Sequence, residues 1–402
     1  MKIKEMLFNI AGIVAGISLF IAAPSYGANI VVGGDSATIG KIIVVSPQST
    51  DTPSINGVSL INALNSIADA SETNPYLLKL GPGIYDIQIN SIQMKPFVDL
   101  EGSGEKVTTI TGAITSGSAV PSAGTVIGSD HAELRFLTVE NTGTGIENIA
   151  ILNLSSSPSI SHVTANSIGT GGLSCYNYAV YNYTSSPKMT NITATASGTF
   201  KIHTIHNESS SPTMANIEAI AKGVQGSDNW AVYNNISSPV MSNVTASAIG
   251  SGGGGYNYGI YNANSSPSMM NIVATASGAG TYSNTGIYND FSSPRMLNIV
   301  ATASGASINS GIHNSWSSPT ITNVTATGSG GVGTGIFNLD SGTIKINHSV
   351  IMGTTNTINN GSGVTTFVGN SQLDGGIVDN AGALTCVGSY NATYLALNTS
   401  CL

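Results

Sequence analysis

The stretch Asp130-His-Ala-Glu-Leu-Arg-Phe136 gathers three kinds of chemistry in seven residues. On an extended strand, His131, Glu133 and Arg135 point to one face, and Ala132, Leu134 and Phe136 to the other. Asp130 and Glu140 stand close by in sequence. A carboxylate beside an imidazole can move a proton, and a guanidinium can grip an anion through paired hydrogen bonds. The face therefore reads in two ways. It is a solvated strand face carrying a Glu–Arg pair, which is the simpler reading, or it is a catalytic or sugar-contact face.

A second set of residues is aromatic in all but its first member and recurs at long intervals. Leu152, Tyr181, His206, Tyr233, Tyr261, Tyr288, His313 and Phe337 each follow an apolar Ile or Val by one residue, and Trp316 lies nearby. Alternation along a strand turns this column away from the Ile/Val column, hence outward. Flat rings stacked in a ridge offer faces for sugar C–H groups, and the Tyr hydroxyls offer hydrogen bonds. Tyr181, Tyr233, Tyr261, Tyr288 and Trp316 are the expected ligand contacts. The competing reading is self-stacking that stiffens the protein. Tyr178, His203, Trp230 and Tyr258 stand two residues before the Ile/Val column. Strict alternation would turn them inward into a crowded core, so their placement stays open.

The elements that must position these rings repeat. Ser-Ser-Pro recurs with prolines at Pro158, Pro187, Pro212, Pro239, Pro267, Pro294 and Pro319, spaced 29, 25, 27, 28, 27 and 25 residues apart. Five residues before each proline is an asparagine, from Asn153 to Asn314, and Asn338 belongs to a copy without proline. Seven residues after each proline is an alanine, from Ala165 to Ala326. Ile or Val stands five after it, and Met or Ile two after it. The odd step between the last two columns requires a bend. Asn191, Asn216, Asn243, Asn271, Asn298 and Asn323, with His162 in the first copy, sit there. Asn tolerates left-handed backbone angles. Bend geometry accounts for triplets such as Asn191-Ile-Thr and Asn243-Val-Thr better than glycan attachment does, and the Met column reads as core filling.

Three short strands and a bend in about 27 residues predict one coil of a solenoid. Stacked coils at ~4.8 Å would place like side chains over like. Length variation falls in glycine-rich stretches such as residues 250–255, where added residues cost little entropy. The expected fold is an all-β, single-stranded, right-handed parallel β-helix. Residues 58–70, with Leu60, Ile61, Leu64, Ile67 and Ala68 on one side, are expected to form a short amphipathic helix capping its N-terminal end. The expected divisions are 28–145 for the cap and opening coils, 146–350 for the repeat coils, and 351–402 for the final coils and a C-terminal cap.

Lys2 and Lys4, an apolar run from Leu7 to Ala22, and small residues at Ser25 and Gly27 predict an export signal over residues 1–27. The mature chain is then expected at the cell surface, secreted, or in a periplasm. Cys386 and Cys401 are expected to pair there, leaving Cys175 in a loop. The chain holds 12 basic and 20 acidic residues. An acidic balance without basic clusters excludes nucleic acid as a partner. No further stretch is long and apolar enough to span a membrane. Nothing in the sequence requires a metal or another cofactor. Between residues 153 and 338 the acids are Glu208, Glu218, Asp228 and Asp290, with no acidic column expected.

The opening coils carry a resemblance. "LKLGPGIYD", "VDLEGSGEKVTTITG" and "LRFLTVENTGTG", following the helix, resemble pectin lyase-like β-helix proteins, the pectin methylesterase branch above all. The likeness covers residues 58 to about 145, and the repeats resemble those of exported bacterial proteins of this fold. It implies the β-helix. If activity came with it, the protein would be a polysaccharide esterase or lyase with a site near residues 99–140. Asp99 and Glu101 would then face the next coil's Glu133 as base and Arg135 as the holder of a uronate carboxylate, with His131 beside them. The paired aspartates, glutamine and arginine of the methylesterases are not found here. The leading expectation is thus a non-catalytic exported solenoid that presents a surface for adhesion, glycan binding or envelope architecture, its partner a polysaccharide or cell-surface glycan.

Overall fold

A computed structural model describes residues 17–20, 29–32, 40–116, 122–169, 175–224, 227–278 and 280–402. The expected export signal over 1–27 lies for the most part outside these residues. From Lys41 onward the chain winds into a parallel β-solenoid of about 11 turns, with one short helix near its start. This is the all-β parallel solenoid that the repeat spacing predicts.

Register proves the winding. Ala165, Ala194, Ala219, Ala246, Ala274, Ala301 and Ala326 pair in one continuous column. All seven are fully buried. Met189, Met214, Met241, Met269 and Met296 stack in the same way. Each repeat coil contributes two strands. One example is Tyr256–Ala263, a turn through Ser-Ser-Pro, and then Ser268–Ser277. The second strand is kinked at Asn271, where φ is +56°. The expected bend is therefore real, and it divides that strand into two legs. Its pairing skips the same position in every coil.

Three asparagine ladders hold the coils in step. The first is wholly buried: Asn182 Nδ2 donates to Asn207 Oδ1 at 2.7 Å, Asn207 to Asn234, Asn234 to Asn262, Asn262 to Asn289 and Asn289 to Asn314, each at 2.8 Å. The second is also buried and includes Asn229, Asn257 and Asn284. The third is the bend column, exposed to water, and it donates the opposite way, as from Asn271 to Asn243 at 3.0 Å. The serines behave likewise. The backbone N–H of Ser210 donates to the Ser237 hydroxyl, toward the C-terminus, at 2.8 Å; the N–H of Ser211 donates to Ser186, toward the N-terminus, at 2.9 Å.

The helix runs from Pro53 to Ser66, so it starts five residues earlier and stops four sooner than the expected 58–70. Thr52 caps it by accepting from the Ile55 N–H at 3.3 Å, and Pro53 fits the first turn, where no N–H is needed. At Ile67 the backbone becomes extended and Ala68 is exposed. Leu60, Ala63, Leu64 and Ile67 are buried, as a capping face requires. Gly57 lets the helix lie against the strand Gly83–Asp86, because a Cβ there would stand 2.0 Å from the Asp86 carbonyl oxygen. At the far end, Cys386 and Cys401 are bonded, with Cα atoms 5.2 Å apart. Cys175 is buried and accepts from Asn148 Nδ2 at 2.8 Å.

The ladders make a graded prediction. Asn262→Leu strands the Asn234 donor and the Asn289 acceptor in the core, and should cost about 2–6 kcal/mol. Asn271→Ala forces Ala into the left-handed region at about 1–2 kcal/mol, while Asn271→Gly should cost less. Denaturant midpoints of the three variants should fall in that order.

Candidate functional site

Two surfaces carry the residues singled out above. The first is the charged cluster on the opening coils. Arg135 pairs in register with Glu101, one coil earlier. Its Nε donates to Glu101 at 2.8 Å, and its Nη1 meets Glu133 and, at 3.5 Å, Asp99. Lys79 closes the group from the other side of Glu101. The Ser161 hydroxyl donates to Glu133 at 2.8 Å. Burial raises the pKa of Asp99, against the pull of the Glu133 N–H and Arg135. Burial would also raise Glu101, but hydrogen bonds from Lys79 and Arg135 outweigh it and bring the pKa down. Asp99, His131, Ala132, Glu133, Ser157 and Ser159 line a shallow depression of about 370 Å³.

His131 and Phe136 depart from the expected alternation. Both have left-handed backbone, at φ 56°. His131 precedes the strand, which begins at Glu133, and stacks on Phe97 with ring centroids 5.0 Å apart. Phe136 occupies the bend column. It turns out to solvent and stacks on His162 at 4.9 Å. Ala132 and Leu134 are buried as expected.

The second surface is aromatic, and it is wider than alternation predicts. In Tyr176–Tyr183, both Ala179 and Val180 enter the core, and the pairing skips Ala179. Two successive inward residues reset the parity, so Tyr178 lands on the outer side with Tyr181. Their rings stack at 4.8 Å. The column of Ala179 is Ala or Gly in every repeat coil but the one with Thr204, because space is short there. At Gly259 a Cβ would approach the Gly286 carbonyl oxygen to 2.6 Å. That recurring Ala or Gly before the Ile/Val was the signal that could have placed Tyr178, His203, Trp230 and Tyr258.

Two ring columns thus run side by side along the solenoid axis. Tyr178, His203, Trp230 and Tyr258 form one. Tyr181, His206, Tyr233, Tyr261, Tyr288, His313 and Phe337 form the other. Successive centroids in the second lie 4.4 to 5.2 Å apart. The stripe is not uniformly open. Tyr178, Tyr181, His203 and His206 bury one another, whereas Trp230, Tyr233, Tyr258, Tyr261 and Tyr288 are half-buried. Trp316 does not join the stripe. It sits in the turn before Ser317 at φ 50° and stacks on Phe291 at 5.8 Å.

Ionisable groups edge this face. Glu208 and Asp290 fall in one column, three coils apart through Asn235 and Ala263, so two acids share a column where none were expected to recur. Glu208 accepts from Asn235 at 2.8 Å and lies 3.4 Å from His206 Nε2. Asp340 accepts from Ser315 at 2.9 Å. The nearby carboxylates add to burial in raising the hydroxyl pKa of Tyr233 to about 12. Burial lowers the pKa of His203 and His206, in His206 against the opposing pull of Glu208, and their Nδ1 atoms meet at 3.1 Å. Lys201 Nζ rests 5.7 to 5.8 Å from the ring centroids of Tyr176, Phe200 and Trp230. Among the described residues no group of three or more His, Cys, Asp or Glu is placed to hold a metal ion.

No family model and no curated protein matches the chain. Solved structures do resemble it. Pectin methylesterase PemA from Erwinia chrysanthemi is 12% identical, with 65% of this chain and 89% of that one covered and a TM-score of 0.39. The carrot pectin methylesterase is 14% identical, covering 68% and 86%, at 0.43. The mannuronan C-5 epimerase AlgE6 A-module of Azotobacter vinelandii is 14% identical, covering 84% and 95%, at 0.40. At such values neither activity nor site residues carry over, and the solenoid rests on its own strand register.

Glu147 lies at the N-terminal margin of the stripe, paired with Tyr176. Burial lifts its pKa from 4.5 to about 7, opposed by a Ser116 hydrogen bond, and its Oε2 has no partner. The folded protein therefore holds this proton more tightly than the unfolded chain does, and stability falls as pH rises from about 4.5 through about 7. Glu147→Gln should remove that fall. At pH above 7 it should be the more stable by on the order of 1 kcal/mol, after allowance for solvent screening. Thermal melts of both proteins across this range check it.

Proposed function

We propose that this chain is an exported, non-catalytic β-solenoid that binds polysaccharide along its aromatic face. The observation that carries the reading is the continuous ring column, half-open from Tyr233 to Tyr288 and laid along the axis at one ring per coil, with Trp230 and Tyr258 beside its first two open rings. An extended ligand meets the same chemistry at every step of such a track. The charged cluster supports the non-catalytic half of the reading. Arg135 turns its Nε and Nη1 to Glu101, Glu133 and Asp99, so a uronate would compete with three carboxylates for its charge.

The alternative is a polysaccharide esterase or lyase with its site near residues 99–140. It draws on the depression at Asp99 and Glu133 and on the raised pKa of Asp99.

Two measurements separate these readings. The chain from Ala28, tested on a panel of immobilised polysaccharides, should bind at least one. Tyr233/Tyr261/Tyr288→Ala should weaken that binding ~100-fold if each ring contact contributes about 1 kcal/mol. Unchanged binding would remove the stripe as the site. Incubation with methylated and unmethylated polygalacturonate should release neither methanol nor unsaturated product above a Glu133→Ala, Arg135→Ala control. Release above that control would establish the enzyme instead.

A further inference from the structure

The aromatic face is also an electrostatic surface, and its sign selects among polysaccharides. From Asp228 to Leu339 the outward positions of its strands hold no Lys or Arg. They hold Asp228 on one margin and Asp290 on the other, with Asp340 one residue beyond that margin, and Glu208 shares the column of Asp290 on the preceding strand, the one that carries Lys201. The carboxylates are close enough to act on the rings. Glu208 and Asp290 both perturb Tyr233, Asp290 and Asp340 perturb Tyr288, and Asp228 perturbs Tyr258. Glu208 and Asp290 are three coils apart, or ~14 Å at the spacing of parallel strands.

The chain itself shows what this chemistry accepts. Lys201 belongs to the same face, one coil before Asp228, and its ammonium stands over three rings at once, those of Tyr176, Phe200 and Trp230. Ring faces attract cations through their quadrupole, by about 0.5–2 kcal/mol depending on desolvation. Beyond Trp230 the rings continue, as Tyr233, Tyr261 and Tyr288, with Asp290 and Asp340 beside them, but the strands of this face supply no further Lys or Arg. Two buried ring nitrogens on this face, Trp230 Nε1 and His313 Nε2, also have no hydrogen-bond partner in the protein.

We infer that the ligand is a cationic polysaccharide, one whose sugars carry free amino groups, with its ammonium groups over the Tyr233–Tyr261–Tyr288 rings and against Glu208, Asp290 and Asp340. The inference rests on the polysaccharide-binding reading and narrows it. Rings and carboxylates together fit a sugar that presents a flat C–H face and an ammonium from the same residue. A polyuronate would bring its negative charge against an edge of the same sign.

The test uses the chain from Ala28 at mildly acidic pH. The probes are a β-linked N-acetylglucosamine polymer, its partly deacetylated form, polygalacturonate and polylysine. The comparison variant is Glu208→Gln, Asp290→Asn, Asp340→Asn, which removes charge and keeps side-chain shape; its thermal melt confirms folding. The expected result is that the deacetylated polymer binds at least ~10-fold more tightly than the acetylated one, and that the variant or high salt abolishes this margin. Equal binding of the two polymers in the wild type overturns the cationic assignment and leaves the polysaccharide reading standing. Tighter binding of polygalacturonate overturns it also. If polylysine competes as well as the amino-sugar polymer, the face is a general polycation surface and the sugar assignment falls. If none of the polysaccharides binds, this inference and the reading beneath it fail together.

Discussion

The structure depends on a side-chain amide that can be satisfied only by its own copy one coil away. Asn182, Asn207, Asn234, Asn262, Asn289 and Asn314 are buried, and each amide nitrogen donates to the carbonyl oxygen of the next. A buried amide without a partner is costly. A slip of one residue between coils would therefore strand a donor and an acceptor and also turn every side chain to the wrong face. The apolar columns alone would tolerate more freedom, since Met, Ile, Val and Ala attract without direction. The ladder converts a general tendency to stack into one register, and that register puts ring over ring on the outer side.

Much of this was legible in the sequence because the repeat is nearly free of noise. Fixed spacings from Ser-Ser-Pro identified the Ala, Met and bend-Asn columns, and the structure stacks each of them as expected. What escaped was local parity. Counting by twos assigns Tyr178 to the core, and only the paired inward residues Ala179 and Val180 move it out. Phe136 was misplaced by the same assumption, since a left-handed residue in the middle of a strand shifts all that follows. The helix start was missed because its signal is a cap, Thr52 with Pro53, while the apolar face that draws attention begins a turn later.

The two candidate sites differ in how their charges are spent. On the opening coils, two cations, Lys79 and Arg135, are shared among three carboxylates, Glu101, Glu133 and Asp99. Partly buried ion groups of this kind hold neighbouring coils together but keep little field for a ligand. Along the aromatic face, the carboxylates of Glu208, Asp290 and Asp340 are bonded by amide and hydroxyl groups, with the His206 imidazole beside Glu208, and among the described residues no Lys or Arg is paired with them. Sequence alone shows the number of acids. It takes register to show that Glu208 and Asp290 share a column.

The serine turns run in opposite senses, one hydroxyl series accepting from the coil before and the other from the coil after. Every repeat coil consequently meets both neighbours through the same fittings, whatever its position in the stack. A gene encoding such a protein can gain or lose a whole unit by duplication or deletion and still join cleanly at the seam. Evolution can then set the reach of the outer track in increments of one rung, without redesigning any contact.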